Sequence, residues 1–481
     1  MIRPIRIGIW CDYGVTLTPT EGIGVFVYNL VGGLLELDEA VEVVLLVRPG
    51  DQKMAGSLVP RPSSRLRVVP EIWPTITQSP RLTRLFQAGI RWIAWTRQKS
   101  FRLERRVYWL RNQVRGENFS LPFAYLLSVA LAAFSLLANL RRGTFLFLAR
   151  PFNRLRGFRK LWQKLALVFD PTAVRESAEC DVWLIPSFRL HYRLAFPSVL
   201  VIHDLVHVHY PDAVPGWDLE ELGQLVPARS AEAAICACMS GFIRDHDLLG
   251  TLHLDPEKVR VIRPAPPMDS SESSAEQTAL GESARLTRPY LFYPAAFRSY
   301  KNHTALVQAL RLLRDKHDTH NLDLVFTGIH SIPQELSRVI SENGLAERVH
   351  VLGCVNRAEL DALYRNALAT ILPSLYEEVC FPVYEALQRG CPVALSRIPA
   401  LVEQYRAMHD ALLYFDPNDP EDLARTILRI REDREGIRLC QQAAAPALWA
   451  RTWKQAARDW LKVLREAIEL ADMRSKTSAA A

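Results

Sequence analysis

Short apolar runs rich in β-branched residues alternate along this chain with longer stretches of helical periodicity. Such runs, bounded by polar turns, are typical of strands buried on both faces of a parallel sheet. The first half contains them at residues 5–11, 41–47, 182–185, 199–202, 234–238 and 259–262. The second half contains them at residues 291–294, 322–327, 349–352, 369–372, 393–395 and 412–415. The pattern predicts two separate series of buried parallel strands.

A stretch rich in Pro, Ser and Glu separates the two series and has the composition of an exposed linker. Strands that alternate with helices predict α/β, doubly wound, Rossmann-like domains. We therefore expect a first domain at residues 1–265, a linker at 266–288 and a second domain at 289–446. Because ligands bind at the carboxyl ends of parallel strands, the cleft between the domains is the expected site. The amphipathic segment 447–470 is predicted to be helical.

The chain has 481 residues, 49% of them hydrophobic and 23% charged, which is enough for two large cores. This composition excludes collagen, coiled-coil, disordered and disulfide-rich proteins. The eight cysteines include no Cys-x-x-Cys pair, so we expect a reduced, cytoplasmic protein. The first apolar run is too short for a signal peptide, and no small-residue cleavage site follows it.

The charge is concentrated in one insert of the first domain, at residues 81–165. This insert contains 18 Arg and Lys residues but only two acids, Glu104 and Glu117, so its net charge is +16. The whole chain has a net charge of +7, and the remaining residues are therefore acidic, with −9. A basic insert in an acidic protein predicts an anionic partner surface, either membrane phospholipid or nucleic acid.

Residues 118–140 of the insert contain no charged side chain, and that length would suffice for a membrane-spanning helix. A single crossing is disfavoured because the strands on either side of the insert should share one sheet, and because both flanks are Arg-rich. An in-plane or re-entrant anchor and a helix buried in the protein are the remaining interpretations. We favour an anionic membrane surface, because basic and aromatic residues are mixed at 84–95. No nucleic acid is expected, since no DNA- or RNA-binding motif accompanies the charge.

The densest cluster of candidate chemistry lies at residues 372–390. Pro382 suits the first position of a helix and Gly390 suits its C-terminal cap, which predicts a helix over 382–389. Glu385 would then lie in the first turn, and Glu377 in the loop after a strand. A helix N-terminus suits a diphosphate, and carboxylates accept paired hydrogen bonds from vicinal hydroxyls. The pattern fits a nucleotide-sugar site, although an ordinary helix N-terminus with stabilising acids remains an alternative.

The segment 290–423 resembles the donor-binding half of retaining glycosyltransferases of family 4 (glycosyl transferases group 1), which have the GT-B architecture. The family pattern is a Glu, seven residues and a second Glu, with a Pro three before the second: here Glu377, Pro382 and Glu385. The first half is similar at Gly22-Ile23-Gly24 and His203-Asp204-Leu205, and the resemblance covers about 350 residues without the insert. Further matches are Leu352-Gly353-Cys354-Val355, Pro373-Ser374-Leu375-Tyr376, Gly390-Cys391-Pro392-Val393, Pro399-Ala400-Leu401-Val402-Glu403, Tyr293-Pro294-Ala295 and Lys301-Asn302-His303.

The resemblance implies roles for these residues. Glu385 would bind the ribose of a nucleotide diphosphate sugar, Glu377 the hydroxyls of its sugar, and Lys301 the diphosphate. His203 would lie beside the donor sugar. The glycine loop would approach the diphosphate through its backbone, and the segment 447–481 would fold back on the first domain. The other implied donor-binding residues are Arg298, Gly22, Gly24, Val355, Cys380, Phe381, Pro382 and Val383.

No metal-binding motif is evident, and we expect no metal and no cofactor other than the donor substrate. His203, His207 and His209 have loose ligand spacing, which disfavours a metal cluster. Cys236 and Cys238 lie on a predicted buried strand, so we expect them to pack in the core.

The sequence departs from the family at one point of the site. Where the family has Glu-Gly-Phe-Gly, this chain has Glu377-Glu378-Val379-Cys380. Both glycines are replaced, which restricts close backbone approach to a phosphate, and Glu378 adds a negative charge. The Arg that many members place five or six residues before the Lys is replaced by Ala295 or Ala296, and Arg298 is the nearest candidate substitute.

These observations predict a cytoplasmic enzyme, peripherally attached to the inner face of the plasma membrane. It would be a retaining, metal-independent hexosyltransferase that moves a hexose from a nucleotide diphosphate sugar to a glycan, a lipid-linked glycan or a glycolipid. A catalytically weakened GT-B membrane scaffold is one alternative, motivated by the lost glycines. A nucleotide-sugar epimerase or a phosphorylase on the same architecture is another, because a fold does not fix a function.

Deleting residues 81–165 should release the protein from the membrane, because the deletion removes the excess positive charge and the apolar segment. Sedimentation of the chain with liposomes that contain anionic phospholipid, compared with zwitterionic liposomes, measures this. Equal sedimentation of the full-length and deleted chains would contradict the assignment.

Overall fold

The computed structural model describes residues 3–11, 22–47, 58, 63–70, 180–189, 197–267, 286–328 and 331–480. The predicted insert at 81–165 and most of the predicted linker lie outside the described residues. Among the helices of the described ranges, none combines the length and the apolar character that a membrane crossing requires.

The first half of the chain forms a sheet of seven parallel strands in the order β3-β2-β1-β4-β5-β6-β7. The predicted runs are confirmed to within one residue at each end. Strand β3 is an edge strand that the apolar pattern missed, because charged Arg67 interrupts its short apolar run and Pro70 ends it. The strands are β1 (Ile5–Trp10), β2 (Val41–Val47), β3 (Leu66–Pro70), β4 (Val182–Ile185), β5 (Ser198–Val201), β6 (Ile235–Cys238) and β7 (Val259–Val261).

Strand β1 pairs with β2 on one side and with β4 on the other. The strands that precede the insert and those that follow it therefore share one sheet, as the sequence argument required. The chain leaves the sheet after β3 and re-enters it at β4, next to β1.

The second half forms a sheet of six parallel strands in the order β10-β9-β8-β11-β12-β13. In each sheet the first strand lies at the centre and the order reverses beside it, which is the doubly wound pattern. The α/β fold class with two Rossmann-like sheets is confirmed. The strands are β8 (Tyr290–Pro294), β9 (Asp323–Thr327), β10 (Val349–Gly353), β11 (Ala369–Leu372), β12 (Val393–Ser396) and β13 (Leu413–Phe415).

Helices connect the strands. They are α1 (Gly22–Leu35), α2 (Val206–His209), α3 (Leu219–Glu232), α4 (His303–His317), α5 (Gln334–Glu342), α6 (Arg357–Asn366), α7 (Phe381–Gln388), α8 (Pro399–Gln404), α9 (Pro420–Glu432), α10 (Arg434–Ala444), α11 (Pro446–Trp449) and α12 (Trp453–Ala480). A π-helix spans Ile243–Thr251, and 3-10 turns span Pro211–Ala213, Pro256–Lys258, Ser299–Lys301 and Arg406–Met408.

The last helix, α12, packs on the first sheet against α1, β4 and β5. It begins at Trp453, later than the predicted residue 447, because a capping box starts a new helix there. The Thr452 hydroxyl accepts a hydrogen bond from the Gln455 backbone N–H at 3.3 Å, and the Gln455 side chain accepts one from the Thr452 N–H at 2.7 Å. Trp453 and Trp460 are buried in the core of the first sheet, and the Trp453 indole donates to the Pro266 carbonyl at 2.7 Å.

Helices α1 and α12 approach so closely at Gly33 that no side chain fits between them. A methyl group on Gly33 would lie 2.7 Å from the backbone carbonyl carbon of Trp453, and backbone cannot swing away as a flexible side chain could. The absence of a side chain at Gly33 therefore allows the C-terminal helix to cover the first sheet. Gly223, in the exposed surface of α3, has open space around it.

Gly33→Ala and Gly223→Ala form a matched pair of helical substitutions. We expect Gly33→Ala to lower the free energy of unfolding by about 1–3 kcal/mol, because α12 must shift away from α1. We expect Gly223→Ala to raise it by about 0.5–1 kcal/mol, since alanine is the better helix former. Urea unfolding measures both, and a Gly33→Ala protein as stable as wild type would contradict the close contact.

Candidate active site

The predicted site residues come together where the carboxyl ends of strands from both sheets meet. His203 follows β5 of the first sheet, Lys301 follows β8 of the second, and Glu377 and Glu378 follow β11. Because strands β8 and β11 are neighbours at the centre of the second sheet, their loops lie side by side. The two carboxylates and the lysine therefore face His203 across the domain boundary.

Lys301 and Glu377 form a largely buried ion pair. The Lys301 ammonium lies 2.5 Å from Glu377 Oε1, with 20% and 8% of the side chains exposed. Burial lowers the pKa of Lys301, but the Glu377 charge more than offsets this and holds the pKa well above its usual value. The Tyr293 hydroxyl donates to the Lys301 carbonyl at 2.9 Å and lies 3.2 Å from the Ser374 hydroxyl, which ties the two loops together.

The turn that carries Lys301 ends at Asn302, whose φ of 55° lies in the left-handed region that Asn tolerates. The Asn302 side chain donates to the Pro417 carbonyl at 2.9 Å, which holds this turn against the loop after β13. Helix α4 begins at the next residue. The lysine is thus placed by a fixed turn at the N-terminus of a helix.

Glu378 is a buried carboxylate that crosses from the second domain to the first. Its Oε1 accepts the Met239 backbone N–H at 2.8 Å, and its Oε2 lies 2.9 Å from His203 Nδ1. The other ring nitrogen of His203, Nε2, lies 3.1 Å from the Pro186 carbonyl oxygen. Both ring nitrogens of His203 are therefore engaged by protein atoms in this closed arrangement.

The His203–Glu378 contact changes both pKa values. Burial lowers the pKa of His203, but the charge and hydrogen bond of Glu378 raise it further, so the net pKa lies above its ordinary value. Burial raises the pKa of Glu378 to about 6, although His203 opposes that rise. Burial also raises the pKa of the neighbouring Asp204 carboxyl.

Two further carboxylates bind across the same boundary. Asp247, of the first domain, is fully buried and accepts a hydrogen bond from the Tyr376 hydroxyl of the second. The Leu205 N–H donates to the Tyr376 oxygen at 2.9 Å. Glu403, on α8, accepts the Gly241 and Phe242 backbone N–H groups at 2.8 Å each. The cleft is therefore held closed by hydrogen bonds in both directions: carboxylates of each domain accept them from groups of the other.

Helix α7 carries the residues predicted to bind the nucleotide. It begins at Phe381, one residue before the predicted start, and this places Glu385 in the second turn rather than the first. Glu385 Oε2 accepts the Tyr364 hydroxyl at 2.7 Å, and Oε1 lies 3.8 Å from Arg357. Glu385 is 24% exposed and lies on a different side of the helix from Val383, which is fully buried in the core.

The remaining residues of this group surround the start of α7. The Cys380 N–H donates to Gln404 Oε1 at 3.1 Å, and the Cys380 carbonyl accepts the Tyr405 hydroxyl. Phe381 and Pro382 are half-buried at the N-terminal end of the helix. Val355 packs at the edge of the second core. The backbone at Cys380 is thus fixed by Gln404, the last residue of α8, and by Tyr405, which follows it.

The remaining predicted donor-binding residues are Gly22, Gly24 and Arg298. Gly22 and Gly24 lie in the first turn of α1, so the prediction of a glycine loop at 22–24 is wrong; the chain has already entered the helix there. A helix N-terminus still presents backbone N–H groups, and a methyl group on Gly22 would contact nothing within 4 Å. Arg298 donates to the Ala213 carbonyl of the first domain at 2.8 Å.

His203, His207 and His209, which the sequence places close together, have different partners in the structure. His207 is buried, and burial lowers its pKa to about 4. His209 Nε2 lies 2.9 Å from Asp247 Oδ1, and His246 Nδ1 lies 2.7 Å from the same oxygen. His209, His246 and Asp247 have the residue types of a metal site. The sequence did not reveal this group, because His246 and Asp247 lie far from His209 along the chain.

The comparisons with known proteins agree with this geometry. The family model described as "Glycosyl transferases group 1" matches residues 278–445, which contain Lys301, Glu377 and Glu385. The solved structure of Anabaena HepE in complex with UDP and glucose covers 96% of this chain and 100% of its own, with 12% sequence identity and a TM-score of 0.57. The second domain thus matches the group 1 model, and the chain as a whole has the GT-B fold.

Two curated relatives extend this likeness. The O-antigen chain mannosyltransferase B of Escherichia coli is 26% identical over 251 residues, which are 52% of this chain and 64% of that protein. The MMP alpha-(1->4)-mannosyltransferase of Mycolicibacterium hassiacum is 30% identical over 164 residues, 34% of this chain and 39% of that protein. The chain therefore matches less than two thirds of the length of either relative.

The structure brings some residues into the site that the sequence did not single out. Tyr376, Asp247 and Met239 all contribute to the contact between the domains. No sequence signal pointed to Asp247, because residues 243–249 are largely polar and the burial of this carboxylate is visible only in the structure. Met239 acts only through its backbone N–H, for which no side-chain pattern exists.

The Lys301–Glu377 pair can be tested by a double-mutant cycle. We expect Glu377→Gln to lower the free energy of unfolding by about 3–5 kcal/mol, because it leaves a buried ammonium without its carboxylate. We expect Lys301→Met together with Glu377→Gln to cost clearly less than the sum of the two single changes. Urea unfolding of the four proteins measures the coupling, and additive losses would show that the two groups are independent.

Proposed function

We propose that this chain is a retaining glycosyltransferase that moves a hexose from a nucleotide diphosphate sugar to a glycan or lipid-linked acceptor at a membrane surface. The donor would bind in the cleft between the two domains, with its nucleotide on α7 and its sugar between Glu377 and His203. No metal ion is needed in this proposal, because the positive charges at the site come from side chains.

The observation that carries the proposal is the buried Lys301–Glu377 pair at the carboxyl ends of β8 and β11. A nucleotide sugar has an anionic diphosphate next to a neutral, hydroxyl-rich ring. Each partner of the pair matches one of these parts, because an ammonium binds phosphate oxygens and a carboxylate accepts hydrogen bonds from hydroxyls. The pair thus marks the junction between diphosphate and sugar.

Glu385 supports the position of the nucleotide. It lies on the same helix that follows the Glu377 loop, at the rim of the site, with one carboxylate oxygen anchored by Tyr364. This hydrogen bond orients the carboxylate and leaves lone pairs for the vicinal hydroxyls of a ribose. In this proposal Glu377 and Glu385 would bind the sugar and the ribose at the two ends of the diphosphate.

The chemistry follows from this arrangement. The bond between the anomeric carbon and the diphosphate breaks, and negative charge develops on the leaving phosphate, where the Lys301 ammonium stabilises it. The acceptor hydroxyl attacks from the face that the diphosphate leaves, and a phosphate oxygen takes its proton. The configuration of the sugar is retained.

The acceptor is proposed from charge and from the relatives. One relative is named for O-antigen chain synthesis, and residues 81–165 combine excess positive charge with an uncharged apolar segment. A lipid-linked glycan would bring an anionic surface and an apolar anchor to that insert. Membrane attachment on the cytoplasmic side follows from the same argument.

A second candidate is a GT-B scaffold without transferase activity. Glu378 favours it, because this carboxylate stands where the family has glycine and its side chain spans the cleft to His203 and Met239. In a scaffold the closed arrangement would be permanent, and no donor would enter.

Binding of nucleotide sugars separates the two candidates. A thermal-shift panel of GDP-, UDP-, ADP- and dTDP-sugars should show stabilisation by one nucleotide, about 2.7 kcal/mol at 100 times its dissociation constant. We expect Glu385→Ala to abolish the shift because it removes the ribose contact. Glu342→Ala, an exposed acid on α5 of the same domain, is the matched control and should keep it.

No shift with any nucleotide would contradict the transferase and favour the scaffold. Where a donor binds, the product of incubation with an acceptor glycan decides the rest. The proton coupling constant at the new anomeric centre should indicate the same anomeric configuration as in the donor. A product of the opposite configuration would contradict the retaining mechanism. Interconversion of free nucleotide sugars without acceptor would identify an epimerase.

A further inference from the structure

The contact between His203 and Glu378 cannot form without a bound proton. Nε2 of His203 faces the Pro186 carbonyl oxygen, which only accepts hydrogen bonds, so Nε2 carries a hydrogen. Nδ1 lies 2.9 Å from Glu378 Oε2, and a hydrogen must lie between these two atoms. Either the imidazole is doubly protonated or the carboxyl is protonated, and in both cases the pair holds one proton more than neutral histidine with ionised glutamate.

The alternative state of the pair is repulsive. If the proton leaves, one ring nitrogen must turn its lone pair on an oxygen in a nearly dry site: Nδ1 on the ionised Glu378 carboxylate or Nε2 on the Pro186 carbonyl. The second oxygen of Glu378 remains fixed by the Met239 N–H, so the carboxylate cannot simply turn away. The domains would have to separate for either group to reach water.

We propose that Glu378 is a positioning residue that holds one proton on His203 and thereby couples closure of the cleft to protonation. The inference deepens the proposed function, on which its catalytic consequence rests: a cationic His203 would stand beside the donor sugar only in the closed form. Glu378 does this through His203 and not through contact with the donor.

The groups that face the pair reinforce this coupling. In the first domain, the Asp204 charge raises the pKa of His203, and burial raises the pKa of Asp204. The uncharged Phe26 ring of α1 packs edge-on against the imidazole. Cys238, on β6, has a thiol whose pKa is raised by burial and by Glu378, so it stays neutral. From the second domain the remaining charges, Glu377 and Lys301, neutralise one another.

The sign of the pH dependence is the same for both partners. The pKa of His203 is raised in the closed form by Glu378 against the opposing effect of burial, so its stabilisation of closure is complete below about pH 6.5 and is lost as the pH rises through the closed-state pKa. The pKa of Glu378 is also raised by burial, which likewise favours closure when the proton is present. Alkaline pH therefore opens the cleft.

Nitrogen NMR of the full chain, labelled with ¹⁵N-histidine, tests the pair directly, with His203→Gln to assign the signal. We expect the wild-type His203 to titrate above pH 6.5. In Glu378→Gln we expect it to bind its proton at least tenfold more weakly and to titrate below that value, because burial then outweighs the smaller effects of Asp204 and the Pro186 carbonyl. Glu378→Asp keeps a carboxylate and should restore part of the shift.

Glu403→Gln is the matched control. Glu403 is another carboxylate of the second domain that accepts backbone N–H groups of the first, but it does not touch His203. We expect this variant to leave the titration of His203 unchanged. A Glu378→Gln protein with a wild-type titration, or an equal shift in Glu403→Gln, would overturn the proposal.

The pH dependence of turnover provides the functional measurement. We expect the alkaline limb of kcat against pH to move to lower pH in Glu378→Gln by the same amount as the NMR titration, and to stay in place in Glu403→Gln. An unmoved alkaline limb would overturn the catalytic part of the inference. A chain that shows the expected NMR shift but transfers no sugar contradicts the proposed function while supporting the proton coupling.

Discussion

The closed arrangement of the two domains depends on carboxylates of each domain that accept hydrogen bonds from the other. Glu378 reaches His203 and the Met239 N–H, Asp247 receives the Tyr376 hydroxyl, and Glu403 receives the Gly241 N–H. A buried carboxylate without such partners is strongly unfavourable. Each domain therefore completes the hydrogen bonding of carboxylates on the other, and separation of the domains requires that water or a ligand replace these partners.

This constraint explains why three consecutive residues dominate the site. Tyr376, Glu377 and Glu378 leave β11 at the centre of the second sheet, where the carboxyl ends of the strands face the first domain. Tyr376 and Glu378 bind the first domain, while Glu377 turns back to Lys301 of its own domain. One short loop thus joins the contact between the domains to the pair that would hold the donor, and a change at one affects the other.

Much of the fold could be predicted from the sequence because buried parallel strands leave an apolar pattern that is independent of tertiary detail. Strand β3 was missed since an edge strand tolerates the charged Arg67. The start of α12 was misplaced because a capping box, and not the apolar pattern, sets it. Lys301, Glu377 and His203 could be found from position and resemblance. The role of Glu378 could not, because its partners lie far away in the chain and one of them is a backbone N–H.

The charges of the closed site also indicate how a donor would enter. Without a ligand, the positive charges of Lys301 and His203 are balanced by Glu377 and Glu378, so the site is neutral without any anion from solution. A nucleotide diphosphate brings negative charge of its own and can replace Glu377 as the partner of Lys301, which frees Glu377 for sugar hydroxyls. A donor phosphate cannot replace Glu378 in the same way, because both carboxylate oxygens of Glu378 bind groups of the first domain. In the proposed function Glu377 would therefore hold the place of the donor until the donor displaces it, whereas Glu378 would remain a fixed part of the closed cleft. A glutamate at 378, where the resembling family has glycine, would then alter the condition for closure and leave the Lys301–Glu377 pair in place.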